Sequence, residues 1–152
     1  MRVWRIARPI WAPLAGEGAR RRGGRWNSPG TSVVYTSERL SLAALETLVH
    51  VEPNLIPPDL TSYEIDVPDE LRFETIAATA LPRDWQDHPG HPVLRAIGDA
   101  WVRGCNSAVL LVPSVIVPTE MNLLINPGHP DGARITVARE LPFRFDLRLI
   151  RE

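Results

Sequence analysis

Lysine is absent from this 152-residue chain, and all 17 basic side chains are arginine. A GC-rich coding bias and a functional demand both produce that pattern, so it decides little alone. Cysteine is nearly absent too. The single Cys105 cannot close an internal disulfide or build a metal site unaided, and a reducing cytoplasm is the expected compartment. His88, His91 and His129 stand beside prolines without further ligands at metal spacing, so no metal is expected. An excess of charge is also missing. At a net charge of −1, bulk electrostatics give no argument for nucleic acid or an anionic membrane as partner. No apolar run approaches the ~20 residues of a membrane span, and the longest, 108–117, is interrupted by Pro113. The amino terminus, ArgValTrpArgIleAlaArg, has no apolar stretch of the signal-peptide kind. There is no phosphate-binding P-loop and no Gly-x-Gly-x-x-Gly after a strand. No histidine–acid pair stands at a spacing that suggests a serine-hydrolase triad.

What is present is an ordinary globular mixture, 44% hydrophobic and 23% charged. The length suits one domain over residues 1–152, burying roughly 68–70% of the surface of the unfolded chain. The 15 prolines sit between periodic segments, stiffening loops and keeping helices short. Alternation predicts a strand over 2–7, with Val3, Arg5 and Ala7 on one face and Trp4 and Ile6 on the other. Residues 8–24 read as a loop, and Asn27–Ser28–Pro29–Gly30 as a turn. A β-branched strand follows over 32–36. Ser37 is the expected N-cap of a helix running to about Val51, with Glu38 in its first turn and Pro53 as its stop. Further strands are expected over 61–67, 73–76, 108–113, 122–127, 134–138 and 143–149, with a second helix over 91–104 closed by Gly104. The fold class is α+β: a curved or split, mainly antiparallel sheet with flanking helices.

The chemistry concentrates in residues 20–50. Glu46 lies on a helix rich in leucine and alanine, beside Leu42, Val49 and His50. It is either a solvated side chain at the edge of the apolar stripe or a carboxylate aimed into a cleft. Arg25 follows two glycines that let the backbone approach a ligand closely, and its planar fork suits pyrophosphate. The alternative is a surface arginine continuing Arg20–Arg21–Arg22. Arg5, on an apolar strand face, calls for an acid or a bound anion as partner. Tyr35 and Trp26 are each a stacking shelf or a core ring. Ser114 ends the strand over 108–113, and Asn126 precedes Pro127–Gly128–His129–Pro130.

The segments GlyGlyArgTrpAsnSerProGly (23–30), ValValTyrThrSer (33–37), LeuAlaAlaLeuGlu (42–46) and ValProSer…ProThrGluMetAsnLeuLeuIleAsnProGlyHisPro (112–130) together resemble the RES domain, a family named for an arginine, a glutamate and a serine. The resemblance covers nearly the whole chain with its motifs in order. It implies a fold similar to ADP-ribosyltransferases and a toxin of a bacterial toxin–antitoxin pair that depletes NAD, with NAD as substrate and no cofactor. It also implies neutralisation by an Xre-like helix-turn-helix antitoxin, and a homodimer within a larger complex. Carried onto this sequence, the catalytic set is Arg5, Tyr35, Glu46 and Ser114, with Arg5, Arg25, Trp26, Tyr35 and Asn126 around the NAD. Both Arg5 and Arg25 match family positions, and Arg5 is assigned first to the NAD phosphates. The implied reaction cleaves the nicotinamide–ribose bond, as a glycohydrolase or phosphorylase. A protein mono-ADP-ribosyltransferase is the alternative. An RNA-binding module built on Arg20–Arg25 is the non-enzymatic one, opposed by the near-zero net charge and the lack of an aromatic–basic sheet signature.

Overall fold

Seven strands and three α-helices form among residues 1–52 and 55–150, the part of the chain that the computed structural model describes. The strands are β1 (Arg2–Ala7), β2 (Val34–Ser37), β3 (Thr61–Asp66), β4 (Phe73–Thr75), β5 (Val109–Pro113), β6 (Met121–Ile125) and β7 (Thr136–Pro142). The helices are α1 (Glu17–Arg22), α2 (Leu40–Leu48) and α3 (Pro92–Gly104). One sheet holds all seven strands in the order β4-β5-β6-β2-β1-β3-β7. Every neighbouring pair is antiparallel except β4–β5. This is the expected α+β class.

Pairing along the sheet is uneven. β1 runs against β3 over its whole length, from Arg2↔Asp66 to Ala7↔Thr61, and β2 runs fully against β6. Between β1 and β2 there is a single backbone pair, Trp4↔Ser37. The backbone pairing of the sheet is therefore split at its centre.

Strand alternation sends side chains to two faces. One face carries Trp4 and Ile6 under α2, where they pack with Ala43, Leu60 and Phe145. Further along the same face, Leu110, Val112 and Leu124 pack with Trp26, Trp85, Leu94 and Trp101 under α3. The opposite face holds Val3, Val34, Tyr63, Ile65 and Leu123, closed over by Leu71 and Ile135. Each fully buried Leu, Ile or Val contributes about 1.5–3 kcal/mol by leaving water. Leu42 of α2 and Leu94 of α3 are both at 0% exposure, and Leu94 packs in the cluster beneath α3.

Four expectations are corrected. Residues 17–22, read as loop, form helix α1. The Glu17 carboxylate accepts from Arg20 and Arg21 one turn on, and acid at the start with arginines at the end suits the helix dipole. Ser37 does not cap α2: it ends β2, Arg39 is the N-cap, and Glu38 turns back to accept the Met121 N–H at 2.8 Å. The alternating segment 143–149 is not a strand. Strand β7 ends at Pro142, which has no ladder donor, and the Phe143 N–H makes one further bond to the Leu60 carbonyl at 2.8 Å. Phe143 and Phe145 then meet edge-to-face at 5.1 Å beneath α2, and Leu147–Ile150 is a single 3₁₀ turn. Finally, α3 begins where His91 Nδ1 accepts the Val93 N–H, and it is Cys105, not Gly104, that takes the left-handed closing conformation. Pro53, expected to stop α2, lies outside the described residues.

Candidate active site

The Glu46 side chain leaves α2 toward the β5–β6 end of the split sheet. Its Oε1 accepts two hydrogen bonds, from Ser114 Oγ at 2.8 Å and from Asn122 Nδ2 at 2.5 Å. Ser114, fully buried where β5 ends, receives the N–H groups of Ile116 and Val117 on its own oxygen, each at 3.1 Å. That fixes the hydroxyl so its proton points at Glu46. Asn122 is held in the same way, because its Oδ1 accepts the Ser37 hydroxyl at 2.6 Å. The carboxylate is thus anchored through one oxygen, and no donor among the described residues occupies the other. Bonds to an ionised oxygen are the stronger kind.

Arg25 stands opposite on the loop between α1 and β2. Gly23, at φ 74°, turns the chain out of α1 into this loop. Its course is then fixed from inside. Tyr35 Oη accepts the Trp26 N–H at 3.0 Å and donates to Asn27 Oδ1 at 2.7 Å. The Asn27 amide donates to the carbonyls of Ala19 and Thr31, each at 2.9 Å. Helix α3 braces the loop from outside: Arg95 Nε donates to the Gly24 carbonyl at 3.1 Å and Asp99 accepts the Ser28 N–H at 2.9 Å. Gly98 lets this approach happen, since a Cβ there would overlap the Trp26 carbonyl oxygen and sit 2.8 Å from its carbon.

The Arg25 guanidinium donates through Nη1 alone, to the carbonyls of Trp85 (3.0 Å) and Asp87 (3.2 Å), leaving Nε and Nη2 without a partner among the described residues. Burial lowers its pKa, and the Glu46 carboxylate opposes that drop. Residues 85–87 also close on the Ser114 turn, where Gln86 Nε2 donates to the Val115 carbonyl at 3.2 Å. Four segments therefore surround one spot: α2, the Arg25 loop, residues 85–87 and the turn after β5.

Of the residues expected in the site, Glu46, Ser114 and Arg25 are brought together, with Tyr35 beneath the loop. The Tyr35 hydroxyl is fully engaged, and burial pushes its pKa well above the ordinary phenol value, so what it offers a ligand is its ring. Arg5 is not brought in. It shares the face of β1 with Val3 and Ala7 and pairs with Tyr63, on the side of the sheet opposite Glu46. Its Nη1 donates to the Tyr35 carbonyl at 3.1 Å across the split, burial lowers its pKa, and its Nε is the one buried side-chain polar atom left unpartnered among the described residues. The Trp26 ring is core, 3% exposed against α3, and not a shelf. Asn126 lies a full strand away from Asn122, where its Oδ1 accepts the Gly128 N–H at 3.0 Å. It borders a separate groove of about 490 Å³ with Thr31 and Arg103.

Motif reading missed Ser37, Asn122 and Asn27. A polar residue on an inward strand position was the available signal for Asn122. The contribution of residues 85–87 runs through backbone carbonyls and leaves no mark in side-chain identity.

The family model described as the RES domain matches residues 2–146. The chain belongs to the RES domain family. Among RES relatives, a protein of Sphingobium sp. (strain YBL2) described as a Prs ADP-ribosylating toxin is 41% identical over 155 residues, covering 98% of this chain and 96% of its own. A Toxin Res of Yersinia enterocolitica is 35% identical, covering 98% of this chain and 99% of its own. One from Pseudomonas putida is 34% identical over 98% of this chain. In fold, this RES chain is similar to a chain in the crystal structure of the M. tuberculosis MbcT–MbcA toxin–antitoxin complex, with a TM-score of 0.73 at 20% identity over 93% of this chain and 83% of that one. No helix among the described residues is long and apolar enough to cross a membrane.

Proposed function

We propose that this RES protein is the toxin of a bacterial toxin–antitoxin pair and that it breaks the nicotinamide–ribose bond of NAD. The observation that carries the proposal is the Glu46 carboxylate, anchored on one oxygen by Ser114 and Asn122 and facing an arginine fork with two nitrogens unpartnered among the described residues. The pyridinium of NAD is already a cationic leaving group, so the bond breaks without a general acid. What the site must supply is a grip on the phosphates and negative charge beside the anomeric carbon as it becomes an oxocarbenium ion. Arg25 takes the pyrophosphate through Nε and Nη2. The free oxygen of Glu46 meets the ribose hydroxyls and the developing positive charge, and the Tyr35 ring flanks the nicotinamide ribose. Arg5, across the sheet, holds the split and does not touch substrate.

In the first reading the ribosyl cation is captured by water or phosphate, and NAD is consumed. The second reading is transfer to a protein acceptor, favoured by the name of the 41% identical Sphingobium relative. An antitoxin partner, a helix-turn-helix protein of Xre type, completes the proposal, supported by the toxin–antitoxin complex of the structural neighbour. The test is cellular NAD within minutes of inducing the wild type or Glu46→Gln. Rapid loss with the wild type alone, by a factor of ~10² or more in rate, is expected. Constant NAD with labelled ADP-ribose on a protein would establish the second reading. Toxicity indifferent to Glu46 would overturn both.

A further inference from the structure

The structure assigns Asn122, locked by Ser37, as the positioning residue that decides which oxygen of Glu46 faces the substrate. This rests on the reading of Glu46 as the working carboxylate. A glutamate at the edge of a short helix has three side-chain torsions to restrain, and Ser114 alone gives one bond to one oxygen. Asn122 adds a second bond to the same oxygen, from the neighbouring strand, so the carboxylate can neither swing about Ser114 nor exchange its two oxygens. The amide itself has only one productive orientation. Its Oδ1 must accept the Ser37 hydroxyl proton, which turns Nδ2 toward Glu46. A flipped amide would place oxygen against a carboxylate oxygen and NH₂ against the hydroxyl.

The location reinforces this. Ser37↔Asn122 is a directly paired position of β2 and β6, and Ser37 also forms the lone β1–β2 pair with Trp4. The lock therefore sits at the split itself, with Ser37 3% exposed.

The experiment compares steady-state NAD cleavage by purified wild type, Glu46→Gln, Asn122→Ala, Asn122→Asp and Ser37→Ala, with thermal unfolding of each. Asn122→Asp keeps the size of the side chain and its acceptor for Ser37, but removes the donor and sets a carboxylate against Glu46. A positioning role predicts that Asn122→Asp is at least as impaired as Asn122→Ala. Both lose about 10- to 100-fold in kcat, the worth of a hydrogen bond to a charged group, with KM little changed. Ser37→Ala falls in the same direction by less. If Asn122 only fills space or holds Ser37, Asn122→Asp restores the rate, and the assignment is overturned. If all Asn122 variants cleave NAD at the wild-type rate while Glu46→Gln is dead, the assignment also fails but the reading of Glu46 stands. An active Glu46→Gln removes the reading beneath it. Should Asn122→Ala fail to fold, Asn122→Asp and Ser37→Ala still decide the matter.

Discussion

Replacing Gly98 by alanine sets two effects of opposite sign against each other. In a solvated helix the change stabilises, by about 0.8–1.0 kcal/mol of helix propensity. Here α3 lies against the Arg25 loop, and the new methyl would overlap the carbonyl oxygen of Trp26, with the carbonyl carbon at 2.8 Å and the Trp26 Cβ at 3.3 Å. The obstacle is backbone, so no rotamer change relieves it. Either α3 or the loop must move. Overpacking of this kind costs about 1–3 kcal/mol and sometimes more, and a backbone obstacle places Gly98→Ala at the upper end. The net expectation is a loss of about 2 kcal/mol. For a domain of this size that is a fall in Tm of about 4–8 °C. The loop that shifts carries Arg25, and a misplacement on the order of 1 Å costs about 10²-fold in rate. Thermal unfolding and NAD cleavage measured on one preparation test both. A Gly98→Ala protein that melts higher than the wild type and cleaves NAD at an unchanged rate would refute the close approach and its link to Arg25.

Two further outcomes follow from the geometry. Arg25→Lys keeps the charge but loses the fork, so one ammonium must choose between the carbonyls of Trp85 and Asp87 and the substrate phosphates. NAD cleavage is expected to fall at least ~10-fold with little change in Tm, and a lysine variant of full activity would remove the bidentate role. Glu17 has its pKa held near about 2 by hydrogen bonds from Arg20 and Arg21. A carboxylate with a depressed folded pKa contributes stability above its ordinary value of 4.5 and loses it as pH falls toward about 2. Acidification through that window should loosen α1, and Glu17→Gln should remove the pH-dependent change in amide protection there, measured against intrinsic exchange rates. An unchanged profile in Glu17→Gln would refute the link.

Much of the fold was written in local pattern. β1, β3, β5 and α3 follow directly from alternation, an apolar run and a Pro-started amphipathic stretch, because in each the local preference and the tertiary environment agree. Where they compete, reading along the chain fails. Phe143 and Phe145 alternate as in a strand, yet β7 ends at Pro142 and the two rings pack against each other beneath α2. Ser37 has the chemistry of an N-cap, but β6 offers its hydroxyl the Asn122 side chain first. Arg5 and Arg25 both looked suited to an anion, and only the parity of β1 against the position of α2 separates them. That separation depends on which face of a sheet a helix covers, and no local spacing encodes it. Asn27, which ties the turn to Ala19 of α1, to Thr31 and to Tyr35 of β2, was legible as a turn residue but not as the bolt of the arginine loop.

At the lone Trp4↔Ser37 pair the sheet passes from β1, β3 and β7, with α2 over β1, to β2, β6, β5 and β4, with α3 over β5 and β6. Glu46 belongs to the first, while Ser114, Asn122 and Arg25 belong to the second. The carboxylate and its anchors thus sit on opposite banks of the seam with the fewest backbone pairs in the sheet, and their two hydrogen bonds cross it together with the Arg5 bond to the Tyr35 carbonyl and the shared core of Val3, Ile65, Val34 and Leu123. An opening along this seam would part the carboxylate from its anchors. A partner that wedges the banks apart would silence this protein without touching a single reacting atom, and one that clamps them would hold it armed.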